Sequence, residues 1–162
     1  DKRGEATTLG DIATLHAALG NRADAIKFYL EALPLRRETG DKRGEAAALN
    51  NLAGLYVNTG EPQRAIESYM RALQIRREIG DRRGEAITLG NLAFIYYSRG
   101  QLGQARESYE QSLALCRELK DREREMTTLT QLAAIYAALG EKQKAADAYA
   151  RLLPAWRLLL PR

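Results

Sequence analysis

A chain of 162 residues with 45% hydrophobic and 28% charged side chains has the length and balance of one globular domain rather than of a disordered tail or a membrane bundle. Its 25 lysines and arginines are nearly matched by 21 acids, so a net charge of +4 does not by itself argue for nucleic acid. No run approaches the roughly 18 uninterrupted apolar residues of a membrane span, and Asp1-Lys2-Arg3-Gly4-Glu5 has no secretion-signal pattern. Cys116 is a single cysteine, which excludes a disulfide framework within the chain, and the expected location is cytoplasmic.

The chain matches itself when shifted by forty residues, giving units 1–40, 41–80, 81–120 and 121–162 within one expected domain, 1–162. In the first unit Asp1 is placed to cap a helix that carries Leu9, Ala13 and His16, and Gly20 is placed to end it in the left-handed conformation. Asn21 then opens a second helix with Ala25 and Tyr29, which Pro34 is expected to interrupt and bend. The second unit repeats the scheme from Asp41, with Leu49, Ala53, Tyr56 and Gly60, then Glu61, Pro62 in the first turn, Ala65 and Tyr69.

The third unit shows the periodicity most plainly: Leu89, Leu92, Ala93 and Tyr96 fall at i, i+3, i+4 and i+7, one stripe of a helix. After Gly100, Ala105, Tyr109, Ser112 and Leu113 fall at i, i+4, i+7 and i+8, the stripe of a second helix. The fourth unit follows with Leu129, Ala133, Tyr136, Gly140, Ala145 and Tyr149, and Pro154 is expected to break its second helix as Pro34 does the first unit's. Calling the two helices of each unit A and B, the sequence predicts an all-α fold of eight helices in four antiparallel hairpins. No hairpin buries its stripe alone, so each leans on the next and the stack forms a solenoid.

Catalytic chemistry has little support. His16 stands where the other units have Tyr56, Tyr96 and Tyr136, which makes it a packing residue. Cys116 lies in a helix five further along, too distant for a nucleophile–base pair. With one His and one Cys there is no metal-ligand spacing, and Gly4, Gly44 and Gly84 are one repeated glycine rather than a phosphate loop, so neither metal nor cofactor is expected. The basic residues opening each helix A, such as Lys2-Arg3 and Lys42-Arg43, oppose the helix dipole and are expected to pair with Glu38, Glu78 and the nearby aspartates.

The string Leu49-Asn50-Asn51-Leu52-Ala53-Gly54-Leu55-Tyr56, followed by Gly60, Ala65, Tyr69, Ala72 and Leu73, resembles the tetratricopeptide repeat, and the resemblance runs the whole chain. The usual unit has 34 residues. A unit of forty is similar to the longer subclass of kinesin light chains, LGN-type adaptors and bacterial signalling arrays joined to caspase-like or nucleotide-switch domains. The resemblance implies a right-handed superhelix in which helix A lines a concave groove and helix B forms the back. It also implies a non-catalytic scaffold that binds a protein or peptide segment, as part of a larger bacterial signalling or regulatory protein.

On that reading the groove row is Asp11, Asn51, Asn91 and Gln131. A carboxamide there can donate to and accept from the backbone of an extended peptide. In relatives of this length an asparagine at this place contacts ligand backbone, which supports Asn51 and Asn91 and leaves Asp11 and Gln131 as departures. Asn50 and Asn58 flank the row, and Val57, Ile87, Phe94 and Tyr97 form an apolar patch suited to contact. The groove has few cations, which disfavours an acidic tail and disfavours single-stranded nucleic acid, the third functional class considered.

The second class is self-association. The chain opens in phase at a helix A boundary without a methionine, as a piece excised from a longer protein or an engineered chain would, and ends on Trp156-Arg157-Leu158-Leu159-Leu160-Pro161 rather than on a polar capping helix. The open face of the last unit is expected to be covered by further sequence or by another copy of the chain.

Overall fold

The structure is a computed structural model that describes the backbone of residues 1–159 and the side chains of residues 1–153. Among the described residues there are eight helices: α1 (Lys2–Ala18), α2 (Arg22–Glu38), α3 (Lys42–Asn58), α4 (Pro62–Glu78), α5 (Arg82–Ser98), α6 (Leu102–Glu118), α7 (Arg122–Ala138) and α8 (Lys142–Leu159). The all-α expectation and the helix boundaries at a spacing of forty both hold. The contacts divide the chain into two compact units, residues 1–84 and 85–162. In the first, α1 packs on α2, α2 on α3, and α3 on α4; in the second, α6 packs on α7 and α7 on α8. The apolar run from Trp156 to Pro161 lies outside the described side chains.

The turns follow from their residues. Gly20 takes φ 81°, its amide donates to the Ala17 carbonyl at 3.1 Å, and the Asn21 amide donates to the His16 carbonyl at 2.9 Å. These two bonds close the last turn of α1 and satisfy carbonyls that the helix itself leaves open. The aspartates cap as expected: Asp41 accepts from the Gly44 amide at 3.0 Å, Asp81 from the Gly84 amide at 3.0 Å, and Asp121 from the Arg124 amide at 3.1 Å. Asn21, Glu61 and Gln101 stand at the N-caps of the B helices without a side-chain cap bond. Glu61 is drawn instead to Arg64 at 2.6 Å and Thr59 at 2.8 Å, charge-assisted and hydroxyl partners that outcompete a backbone amide.

Pro34 corrects an expectation. It lies inside α2 without interrupting it, and α8 likewise runs through position 154. The lost backbone bond costs roughly 3 kcal/mol in an isolated helix. In α2 the buried side chains of Tyr29, Ala32 and Leu33 anchor the turn before Pro34, packing on α1 and α3 holds the helix on both sides, and the ring itself is exposed.

Fully buried alanines, Ala13 and Ala25, Ala53 and Ala65, Ala93 and Ala105, allow helices A and B of a hairpin to approach closely. Larger residues fill the space between hairpins: in the second unit Tyr109, Leu113, Leu129, Leu132, Ile135 and Tyr136 form one cluster. Each fully buried Leu or Ile there contributes about 1.5–3 kcal/mol.

A guanidinium sits at each described joint between hairpins. Arg36 on α2 donates to Asp41 at 2.7 Å, and a Cβ placed on Gly44 would come within 1.7 Å of its NH1. Arg76 lies 3.8 Å from Asp81, and a Cβ on Gly84 would lie 2.0 Å from Arg76. Burial pulls the Arg76 guanidinium below its ordinary value, and Asp81 partly offsets this. In the third joint the residue at the arginine position is Cys116, fully buried, and the residue at the glycine position is Arg124, whose Nε lies 3.4 Å from Asp121. The cation has moved from helix B to the following helix A, and the aspartate keeps a partner.

Candidate functional site

The exposed face of α3 carries Asn51 one turn from Gly54, and its carboxamide is oriented from below by α2. Asn51 Nδ2 donates to the Tyr29 hydroxyl at 3.0 Å, and that hydroxyl lies 2.8 Å from Thr14 Oγ1 on α1, which bonds the Gly10 carbonyl at 2.9 Å. A carbonyl only accepts, so the one Thr14 proton goes to Gly10; Tyr29 must then donate to Thr14, and its oxygen can only accept from Asn51. The donors run from Asn51 to Tyr29 to Thr14, and the Gly10 carbonyl accepts the last proton. This fixes which edge of the carboxamide faces the protein and leaves Oδ1 and the second N–H as an acceptor and a donor for another molecule.

Asn51 is exposed, Asn58 is exposed, and Asn50 and Val57 are half-buried on the same helix. Asp11, in the equivalent place on α1, is exposed. In the second unit Ile87 and Asn91 are half-buried on α5, while Phe94 is 53% and Tyr97 40% exposed. Gln131 on α7 is half-buried. The structure thus brings Asn51, Thr14 and Gly10 together through Tyr29 and sets Ile87, Asn91, Phe94 and Tyr97 along one helix. Gly10 on α1 is buried, with Arg36 against it.

The tyrosines of the B helices, which the sequence places only in the apolar stripes, reach the A-helix face. Tyr29 anchors Asn51, and a Cβ on Gly54 would lie 3.8 Å from the Tyr69 hydroxyl, so both hydroxyls lie under helix A. Burial pushes the Tyr109 hydroxyl up to about 12, and Tyr97 beside it adds to the shift. The signal was present: Tyr29, Tyr69, Tyr109 and Tyr149 recur at forty, and a purely apolar gap would be filled as well by phenylalanine.

Elsewhere the chemistry is structural. The His16 ring stacks on Phe28 at 5.3 Å, and its Nδ1 lies 3.7 Å from Asp24. Burial raises the Cys116 thiol above its ordinary value, which makes it a poor nucleophile. Lys2 pairs with Glu38 and Lys42 with Glu78 at 3.7 Å, as expected for the basic helix starts. Two clefts, of about 270 and 180 Å³, repeat one lining: Leu33, Arg37, Tyr56, Arg64 and Arg71 in the first, Leu113, Arg117, Tyr136, Lys144 and Arg151 in the second. In both, the first two cations already hold acids: Arg37 pairs with Glu45 at 2.6 Å and Arg64 with Glu61 at 2.6 Å, Arg117 with Glu125 at 2.8 Å and Lys144 with Glu141 at 2.7 Å. Among the described residues no group of three or more His, Cys, Asp or Glu side chains could hold a metal, and no helix is long and apolar enough to cross a membrane.

Comparison with known proteins places this geometry. No curated protein matches the chain in sequence. Among solved structures, BtubC (BKLC) from P. vanneervenii is 26% identical with a TM-score of 0.88, over 100% of this chain and 69% of its own. A putative kinesin light chain from Podosopora anserina with nearly identical TPR-like repeats is 19% identical, TM-score 0.77, over 96% of this chain and 76% of that one. A Rap protein complexed with Competence and Sporulation Factor is 19% identical, TM-score 0.77, over 95% of this chain and 43% of that one. The last two likenesses speak for the fold alone. The family model of the tetratricopeptide repeat matches residues 4–78 and 84–157, so nearly the whole chain belongs to the tetratricopeptide repeat family, whose repeats serve as protein-interaction scaffolds.

Proposed function

We propose that the exposed face of the A helices binds an extended peptide segment of a partner protein. Asn51 and Asn91 meet the peptide backbone, flanked by Asn50 and Asn58. Val57, Ile87, Phe94 and Tyr97 take its apolar side chains, and Asp11 and Gln131 carry the row into the outer hairpins. The observation that supports this reading best is the donor chain through Tyr29, which holds the Asn51 carboxamide in one orientation at an exposed position. A group already oriented loses less freedom on binding than one that must be ordered by the ligand. The exposure of Phe94 and Tyr97 gives the apolar part of the contact, since large aromatic groups left in water on one helix commonly mark interaction surfaces.

The partner on this reading is a neutral or mixed-charge segment, because the face offers no cluster of cations for an acidic tail or for nucleic acid. A Rap protein of similar fold is found complexed with Competence and Sporulation Factor, and the role inferred for this chain is the cytoplasmic docking part of a larger bacterial signalling protein. The test is affinity capture from a bacterial lysate with the wild-type chain beside an Asn51→Ala, Asn91→Ala double variant, the bound proteins being identified by mass spectrometry. Partners retained by wild type and lost by a variant of unchanged helix content support the groove. Identical capture by both chains overturns it.

A further inference from the structure

The two clefts, one in each compact unit, are built to one plan. The first, of about 270 Å³, is lined by α2, α3 and α4; the second, of about 180 Å³, is lined by α6, α7 and α8. Every residue lining the second stands eighty places after one lining the first, as Leu113 follows Leu33 and Arg151 follows Arg71. The apolar part is Leu33, Leu49 and Tyr56 in one and Leu113, Leu129 and Tyr136 in the other. A cation lies over each tyrosine ring, Arg64 at 4.1 Å and Lys144 at 5.3 Å. The first cleft gains a further apolar edge from Leu30 and Pro34, both exposed.

Of the three cations lining each cleft, two are held by acids: Arg37 and Arg64 in the first, Arg117 and Lys144 in the second. The third, Arg71 or Arg151, is exposed, and its guanidinium has no ion pair or hydrogen bond among the described residues. An acid does stand one turn before it, Glu67 or Asp147. That acid accepts from the glutamine a further turn back, Gln63 at 3.3 Å and Gln143 at 2.9 Å, so the arginine keeps its donors. The repeat does not require these cations. At the places of Arg64 and Arg71, α2 carries Asp24 and Glu31 and α6 carries Gln104 and Gln111.

A cavity of about 150 Å³ holds a benzene ring, and sites for drug-sized ligands and cofactors begin near about 300 Å³. Each cleft is therefore the size of one large side chain. We propose that each takes a leucine or phenylalanine side chain from an acidic segment of a partner protein, while Arg71 or Arg151 pairs a carboxylate beside it. An open guanidinium matches a carboxylate with two parallel bonds. One open cation per cleft fits one such group, whereas a nucleic-acid backbone or an anionic membrane calls for a row or a cluster of them. The site goes beyond the peptide face of the A helices, since none of Asn51, Asn91, Phe94 and Tyr97 lines either cleft.

Amide NMR titration of the isotope-labelled chain tests it with three end-capped peptides: Glu-Glu-Leu-Glu-Glu, the same with glycine for leucine, and the same with glutamine for each glutamate. The first should shift the amides lining both clefts and saturate at millimolar peptide. Each replacement should weaken binding about tenfold, the share of one leucine side chain or one charge-assisted pair. Arg71→Gln should silence the first cleft and leave the second, and Arg151→Gln should do the reverse. In each variant the untouched cleft reports that the chain is still folded. The proposal is overturned if the three peptides bind alike or none saturates at millimolar concentration. It is equally overturned if the cleft with the substituted arginine responds as before, or if the shifts centre on Asn51 and Asn91 instead.

Discussion

Lys120 carries the one positive φ, 56°, found outside glycine among the described residues. It stands where the other turns have Gly20, Gly40, Gly60, Gly80, Gly100 and Gly140, and it makes the same bonds: the Lys120 amide to the Arg117 carbonyl at 3.1 Å and the Asp121 amide to the Cys116 carbonyl at 2.9 Å. The turn geometry is therefore imposed by the bonds, and the lysine takes it at a cost of about 1–2 kcal/mol from Cβ crowding against its carbonyl. Glycine removes that strain and gives back part of the gain through the greater freedom of its unfolded chain. Lys120→Gly is expected to raise stability by about 1 kcal/mol, read as a higher urea midpoint at unchanged slope. A lower midpoint would mean that the lysine side chain contributes more than the strain it causes. The requirement for a left-handed residue was legible from six glycines at a fixed interval; the exception was legible too, since it is the one place where the interval is kept and the glycine is not.

At the scale of the element, the guanidinium at the joints is a property of a pair of helices. In the first two joints helix B supplies Arg36 or Arg76, and the facing glycine, Gly44 or Gly84, leaves room for it. In the third, Cys116 makes room and Arg124 supplies the charge. Cys116→Arg alone puts two guanidinium groups beside Asp121 in a buried space, which overpacks it and leaves one cation poorly paired; about 2–4 kcal/mol of destabilisation is expected. Adding Arg124→Gly recreates the Arg36–Gly44 arrangement and should recover more than half of that loss. A double-mutant cycle by chemical denaturation gives the coupling, and additive effects would show that the two positions do not share the site. Neither residue reveals this in sequence, because the two lie on different helices and only the aligned units show that one gained what the other lost. Pro34 shows the opposite limit: its local rule is plain in the sequence, but packing on both sides of α2 overrides it. Asn51 falls between, since its row was legible from the repeat while the direction of its hydrogen bond depends on Thr14 and Tyr29, from two other helices.

At the scale of the whole molecule, stability in a repeat array is a sum over hairpins and the joints between them, and a helix with one neighbouring joint opens more readily than a helix with two. The counts of buried residues follow this rule in the first unit. In α1 only Ala6, Gly10 and Ala13 are buried, whereas α3 buries Glu45, Ala46, Ala48, Leu49, Leu52, Ala53, Leu55 and Tyr56. The two helices have the same length and nearly the same caps, so the difference lies in α2, which covers α3 and has no counterpart on α1 among the described residues. Amide hydrogen exchange resolved by mass spectrometry should therefore find α1 exchanging before α3, through local opening rather than unfolding of the whole unit. Equal protection of α1 and α3 at low concentration would mean that the first four helices open as one cooperative block, with the joints stronger than the hairpins they connect.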